Sequence, residues 1–216
     1  MHDINLENGD ILAKQKELAK NNEDKLARHG VSAVNVMGAI GSGKTALIEA
    51  IYEKIKDDFE VGAVAGDVAG TDDYERFEAA GIHAYNLNTH SDCHLDAHLV
   101  DHSLSSMPLD TLDLLFVENV GNLVCPADFP LGTKKEMVVI SVTEGEDMVR
   151  KHPKIFSQSN IVVINKVDLA DAIGVDPEKP KKDYHEINPN GRVIFTAATK
   201  DQGIDELIDA LELDTI

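Results

Sequence analysis

Eight consecutive residues, Gly38 to Thr45, carry the clearest chemical pattern in the sequence. They read GAIGSGKT and match the phosphate-binding pattern Gly-x-x-x-x-Gly-Lys-Ser/Thr at every position. Glycines in such a loop let the backbone turn its N–H groups toward phosphate oxygens. Lys44 is expected to contact the β- and γ-phosphates as a catalytic residue, and Thr45 is expected to bind Mg²⁺. The predicted phosphate-binding backbone belongs to Gly38, Gly41, Ser42, Gly43, Lys44 and Thr45.

A second motif predicts the nucleotide. Asn165-Lys166-Val167-Asp168 directly follows an apolar segment. A carboxylate at Asp168 can accept hydrogen bonds from N1–H and the exocyclic amine of guanine. Adenine lacks this pair of donors, so a site built for them discriminates strongly between the two bases. Ala197, which follows the next apolar segment, is expected to lie against the base. The motif therefore predicts GTP as the cofactor, with Asn165, Lys166, Asp168 and Ala197 in its binding site.

Two carboxylates, Asp67 and Glu118, end apolar segments and are predicted to lie beside the γ-phosphate. Mg²⁺ typically binds one or two carboxylates together with phosphate oxygens. Both residues are therefore candidates for the Mg²⁺ site with Thr45, and for a catalytic role. No glutamine stands at a position where we would expect it to orient the attacking water. Asp67, Asp72 or an unassigned group remains open for that role.

The only two cysteines of the sequence stand near histidines. Cys93 is followed by His94, and Cys125 comes seven residues after Glu118. Thiolates and imidazoles suit Zn²⁺ or Ni²⁺. One chain would supply three ligands, so the fourth coordination position would be filled by water or by a residue of a second subunit. His98 and His102 continue a spacing of four from His94, which predicts one shared face on a helix over 94–105. The alternative is that the cysteines are small buried apolar residues.

Apolar segments that alternate with helical patterns must position these groups. They predict an α/β P-loop NTPase with a mostly parallel sheet covered by helices on both faces. Predicted strands cover 31–37, 60–65, 82–87, 112–117, 137–142, 160–165 and 192–196. Predicted helices cover 10–29, 43–57, 72–80, 94–105 and 203–212, and 177–191 is a breaker-rich loop region that could enclose a short helix. The predicted domains are an N-terminal helical extension, 1–29, and a P-loop GTPase domain, 30–216.

Composition narrows the class of protein further. The 216 residues include 20 basic and 39 acidic side chains, for a net charge of −19. Such a surface repels phosphate backbones, so no nucleic-acid partner is expected. No apolar run is long enough to predict a membrane span. The first residues lack a basic segment followed by an apolar one, so the expected location is cytoplasmic.

Together these motifs resemble the HypB family, the GTPases that assist nickel insertion into [NiFe]-hydrogenase. The resemblance extends over about residues 10–214. Its most specific parts are Cys-His-Leu at 93–95, Glu-Asn-Val-Gly-Asn-Leu-Val-Cys-Pro at 118–126 and Val-Thr-Glu-Gly-Glu-Asp at 142–147. Further matches are Gly-Asp-Val-Ala-Gly-Thr-Asp at 66–72, His-Pro at 152–153 and the two nucleotide motifs.

The resemblance implies a GTP-hydrolysing metallochaperone that forms a GTP-dependent homodimer. Cys93, His94 and Cys125 would bind Ni²⁺ or Zn²⁺ at the subunit interface, with His98 as a further candidate. Lys151 stands where a lysine reaches the nucleotide of the partner subunit. The implied partners are other hydrogenase maturation proteins and the hydrogenase large subunit. The sequence has neither the N-terminal cysteine motif nor the histidine-rich tract of some members, so nickel storage is not expected.

Three alternatives remain open at this point. The first is a nickel GTPase for another enzyme such as urease. The urease-associated family resembles this chain less well, because its motif is Cys-Pro-His, whereas this sequence has separate Cys93-His94 and Cys125-Pro126 pairs. The second is a metal-binding scaffold with weak nucleotide turnover. The third is an ATP-dependent kinase of small molecules.

Overall fold

The computed structural model describes the backbone of residues 3–213 and the side chains of residues 13–213. Residues 1–2 and 214–216 of the predicted domain ranges therefore lie outside the described part. The strands are β1 (Ser32–Gly38), β2 (Val61–Asp67), β3 (His83–Asn88), β4 (Leu114–Glu118), β5 (Lys135–Ser141), β6 (Ile161–Asn165) and β7 (Arg192–Phe195). The helices are α1 (Asp3–His29), α2 (Lys44–Ile55), α3 (Asp72–Ala80), α4 (Ala97–Leu104), α5 (Met148–Lys151), α6 (Pro153–Gln158), α7 (Ala170–Ile173), α8 (Glu178–Ile187) and α9 (Ile204–Leu211).

The seven strands form one parallel sheet in the order β3-β2-β4-β1-β5-β6-β7. β1 lies between β4 and β5, and its last residue, Gly38, is paired with Val139. Parallel strands end at the same edge of a sheet, and ligands bind at that edge where the strand order reverses. The phosphate-binding loop after β1 lies at that edge, beside the ends of β4 and β6.

Helices cover both faces of the sheet. Along β1, Val34 and Val36 pack with α2, α3 and α9, whereas Ala33 packs with α1 and α4 on the opposite face. Successive side chains of a strand point to opposite faces, which explains this division. Phe156 of α6 and Tyr184 of α8 pack against Met37 and the strands beyond β1. The predicted fold class is confirmed.

One helix begins later than predicted, and this changes the histidine assignment. α4 begins at Ala97, because the carboxylate of Asp96 accepts a hydrogen bond from the Leu99 N–H at 2.8 Å and caps the helix. His94 therefore precedes the helix. The prediction that His94 shares a helix face with His98 and His102 is wrong.

Short helices account for the other differences. α5, α6 and α7 were not predicted, since each has only four to six residues, fewer than two turns in which to show a period. The breaker-rich region contains α8, preceded by Pro177, and proline is compatible with the start of a helix.

The N-terminal helix α1 packs closely on the rest of the molecule. The Asn22 amide donates to the carbonyl oxygens of Ala97 and Leu131, at 2.8 and 3.0 Å. α1 ends at His29, and the division into two domains at this residue remains a prediction. Within residues 3–213, no helix combines the length and apolar character needed to cross a bilayer.

Candidate functional site

The loop between β1 and α2 forms a cradle for phosphate. Gly43 precedes α2 in a left-handed conformation, with φ of 103°, and no side chain caps the helix. The first N–H groups of α2 are therefore free to bind an anion. A Cβ atom at Gly43 would lie 2.3 Å from the Asn165 amide nitrogen, so both conformation and space require glycine here. The cradle opens into a pocket of about 500 Å³.

Lys44, Thr45 and Glu118 form a buried polar group at the floor of this pocket. The ammonium of Lys44 lies 3.7 Å from Glu118 Oε1, and both side chains are almost fully buried. The Thr45 hydroxyl lies 3.1 Å from the same oxygen. Burial raises the pKa of Glu118 to about 7, despite the opposing effect of Lys44. The carboxyl can therefore hold or release a proton near neutral pH.

Further carboxylates reach the same pocket. Asp67 ends β2, lines the pocket and accepts a hydrogen bond from the Val68 N–H at 2.6 Å. Asp72 also lines it, but the carboxylate that contacts the Thr45 hydroxyl, at 2.7 Å, belongs to Asp73. Asp73 was not among the candidates. Its position beside Asp72 in the first turn of α3 was visible, but the sequence does not show which of the two faces Thr45.

The donors present fit a magnesium-bound nucleotide. Within the part of the chain that the structure describes, the Ser42 hydroxyl and Glu118 Oε2 are buried and have no hydrogen-bond partner, a costly arrangement that a ligand would relieve. The hydroxyl of Thr45 and the nearby carboxylates are oxygen donors of the kind that Mg²⁺ prefers. Lys44 and the α2 N-terminus add the positive charge that phosphates require.

The predicted base-binding motif lies at the other end of the cradle. The Asn165 amide donates to the Ser42 carbonyl at 3.0 Å and accepts from the Thr196 hydroxyl at 2.9 Å. Lys166 donates to the Gly41 carbonyl at 2.6 Å. Asn165 and Lys166 thus hold the phosphate loop.

Asp168, the last residue of this motif, contacts a different segment of the chain. Its carboxylate lies 2.8 Å from the ammonium of Lys200, and the Asp168 side chain is partly exposed. Ala197 is buried, and its N–H bonds to the Gln202 carbonyl, so it shapes the loop behind this carboxylate.

The structure brings the three predicted soft ligands together. Ligand atoms of Cys93, His94 and Cys125 lie within 4.8 Å of one another. The two Sγ atoms are 2.6 Å apart, and the hydrogen bond from the Cys93 thiol to Cys125 raises the pKa of Cys93. His94 stacks on Phe129, and burial lowers the pKa of its imidazole. The neutral imidazole is the form that binds a metal.

Two further candidates lie apart from this group. His98 is exposed on α4 and contributes no atom to it. Lys151 is exposed at the end of α5 and forms an ion pair with Asp147 at 2.8 Å. Neither is among the described residues that line the nucleotide pocket, and the partner-subunit role of Lys151 stays a prediction.

Asn122 joins the phosphate loop to the cysteine pair. Its backbone forms a β-bridge with Gly38. Its side chain donates to the Cys93 carbonyl at 3.3 Å and accepts from the Val124 N–H at 2.7 Å. The preceding residue, Gly121, lies against Ile40, where a Cβ would meet the Ile40 side chain at 2.3 Å. Sequence reasoning missed Asn122, because its contacts appear only in the folded chain.

Comparisons with known proteins show which family this chain resembles. Residues 32–195 match the family described as CobW/HypB/UreG, nucleotide-binding domain. The "Probable hydrogenase maturation factor HypB" of Methanocaldococcus jannaschii is 50% identical, over 94% of this chain and 92% of the relative.

Two solved structures extend the comparison. HypB from Archaeoglobus fulgidus superposes with a TM-score of 0.86 at 48% identity, covering 93% of this chain and 98% of that one. HypB from Helicobacter pylori in complex with nickel gives 0.87 at 28% identity, covering 93% and 96%. The suspected resemblance is confirmed: this chain belongs to the HypB family of hydrogenase maturation factors, within the CobW/HypB/UreG nucleotide-binding proteins.

Proposed function

We propose that this protein hydrolyses GTP and uses the GTP cycle to deliver nickel to [NiFe]-hydrogenase. The observation that carries the proposal is the segment from Glu118 to Cys125, which begins in the nucleotide pocket and ends in the cysteine pair. One short segment therefore contacts both sites. The nucleotide-binding family and the nickel complex of the Helicobacter pylori relative support the two halves of the proposal.

Guanine specificity is assigned to Asp168. Its carboxylate lies 2.8 Å from the ammonium of Lys200, and a carboxylate can accept hydrogen bonds from the two donors of guanine. Because Asn165 and Lys166 are already bonded to the phosphate loop, base recognition depends on Asp168. Mg²⁺ would be held by Thr45 with Glu118, Asp67 or Asp73 and would offset phosphate charge.

Cys93, His94 and Cys125 are assigned to the cargo metal, nickel, with zinc as a competitor. Two thiols and an imidazole form three of four ligands for such an ion. We assign the fourth position to water or to a second copy of the chain, with GTP favouring the dimer. The partners proposed are other hydrogenase maturation proteins and the hydrogenase large subunit, in the cytoplasm.

Coupling between the sites is assigned to Asn122. A γ-phosphate contact that moves Gly121 or Gly38 must also move Asn122, since the three residues are linked through backbone and close packing. Asn122 bonds to the backbone on both sides of the cysteine pair. A change of nucleotide would therefore alter the spacing of the metal ligands, which is coupling through a shared two-state element.

Nickel titration with bound nucleotide tests this proposal. We expect the Ni²⁺ affinity with Mg-GDP to differ at least fivefold from that with a non-hydrolysable GTP analogue, within the usual range of coupling energies of about 1–3 kcal/mol. Cys93→Ala should lose high-affinity binding, whereas His98→Ala, the matched control, should retain it. Equal affinities in both nucleotide states would rule out the coupling, and loss of binding in His98→Ala would rule out the ligand assignment.

A further inference from the structure

A chain of buried amides crosses the protein beneath both sites. Asn119, the residue after Glu118, is fully buried. Its side-chain oxygen accepts from the Leu95 N–H and the Val120 N–H, each at 3.0 Å. Leu95 directly follows the Cys93-His94 pair, and Val120 directly precedes Gly121, which lines the nucleotide pocket from the loop after β4. A single oxygen atom thus joins the backbone of the segment that carries Cys93 and His94 (the metal segment) to the backbone of the loop after β4 (the nucleotide segment).

The orientation of the Asn119 amide is fixed by hydrogen bonds through Asn35 to Glu136. The Asn119 NH₂ group donates to the side-chain oxygen of Asn35 at 3.2 Å, and the Asn35 NH₂ group donates to Glu136 Oε2 at 2.7 Å. In its ionised form, which dominates at pH 8, the Glu136 carboxyl only accepts hydrogen bonds, so it requires the NH₂ side of Asn35. Asn35 then presents its oxygen to Asn119, and Asn119 must turn its own oxygen toward the two backbone N–H groups.

This arrangement has a geometric consequence. Asn35 lies within β1, which is rigidly paired on both sides. The Asn119 N–H also donates to the Val36 carbonyl of the same strand, at 3.0 Å. The two loops are therefore positioned against a fixed strand. They are not free to shift independently, because either shift would leave a buried N–H without a partner.

We propose that Asn119 is the positioning residue that holds the Cys93-His94 segment in register with the loop after β4, which lines the nucleotide pocket. Asn35 and Glu136 orient the Asn119 amide from the far side of β1. The inference rests on the proposed function, because it explains how metal ligands on separate segments stay aligned with the nucleotide pocket. Asn122 links the same segments from the solvent side, so the two asparagines hold the metal segment from opposite directions.

The test compares Asn119→Ala with Asn188→Ala. Asn188 is a suitable control, because its side chain also donates to a buried backbone carbonyl, that of Ser159, but lies away from both sites. Ni²⁺ affinity is measured at pH 8 without nucleotide, by competition with a chromophoric chelator. Hydrogen exchange of the Leu95 and Val120 amides is measured in parallel.

We expect Asn119→Ala to weaken Ni²⁺ binding at least tenfold and to increase exchange at both amides at least tenfold, with Asn188→Ala within twofold of wild type. Nickel affinity within twofold of wild type in folded Asn119→Ala would overturn the inference, as would equal losses in the control. If Asn119→Ala does not fold, Asn35→Ser is used. It should weaken binding at least threefold and increase exchange at the two amides, and an unchanged affinity refutes the proposal.

Because these measurements omit nucleotide, they are independent of the coupling proposal. Repeating the titration with Mg-GDP and with the GTP analogue then separates the two. A wild-type protein with equal affinities in both states would refute coupling alone.

Discussion

Replacing Glu136 with glutamine is expected to change how the stability of the protein depends on pH. The carboxyl accepts hydrogen bonds from Asn35 at 2.7 Å and from the Thr133 hydroxyl at 2.6 Å. Burial nevertheless raises its pKa from the ordinary value of 4.5 to about 7. The folded state therefore binds the proton more tightly than the unfolded state, and the free energy of unfolding must fall as pH rises from 4.5 to 7.

The size of this effect follows from the shift. A pKa raised from 4.5 to about 7 corresponds to about 3 kcal/mol in total, of which about 2 kcal/mol is lost between pH 5.5 and 8. Glutamine has the same shape and does not titrate. Its carbonyl can accept from Asn35 while its NH₂ group donates to the Thr133 hydroxyl, so the network stays satisfied.

Urea denaturation of the nucleotide-free protein at pH 5.5 and at pH 8 measures the difference. The wild type should lose about 2 kcal/mol more than Glu136→Gln over this interval. Glu206→Gln changes an exposed glutamate of α9 and should follow the wild type. Parallel pH profiles for wild type and Glu136→Gln would refute the reasoning.

Three other substitutions test the sites themselves. Gly43→Ala should weaken GTP and GDP binding at least about 100-fold by calorimetry, because a Cβ there would collide with Asn165; retention of affinity would contradict the cradle geometry. Asp168→Asn should weaken GTP at least about 100-fold and favour xanthosine triphosphate, whose C2 carbonyl complements an amide NH₂; unchanged base preference would contradict the role of Asp168 and favour a nucleotide site of another kind. Lys44→Ala should reduce GTP turnover at least about 100-fold by phosphate release, with Lys154→Ala, an exposed lysine of α6, as the control; equal turnover in the two variants would remove Lys44 from catalysis.

The sequence predicted those parts of the molecule that depend on contiguous residues. Gly38–Thr45 and Asn165–Asp168 are local motifs whose geometry is largely set by their own backbone, so their positions at strand ends could be anticipated. The strands were predicted for a similar reason, since each is a short apolar run. Family resemblance supplied the grouping of Cys93, His94 and Cys125, which spacing alone left open.

Contacts between distant segments could not be read in the same way. Asn119 and Asn122 are ordinary asparagines in a loop, and their roles arise from atoms that folding places opposite them. The choice between Asp72 and Asp73 depended on the rotation of α3. The misplaced start of α4 has a local cause, because Asp96 was available as a cap but the histidine spacing suggested an earlier start.

The contact between Cys93 and Cys125 has a thermodynamic consequence. The two residues are 32 positions apart, with β4 between them, so an ion bound to both closes a loop around a central strand of the sheet. Closing such a loop costs the unfolded chain conformational entropy, so the ion binds the folded chain in preference. A metal present at 100 times its dissociation constant then stabilises the fold by about 2.7 kcal/mol. Under the proposed function, metal-bound protein would resist unfolding and proteolysis more than metal-free protein. The bound metal would therefore control how long the protein persists.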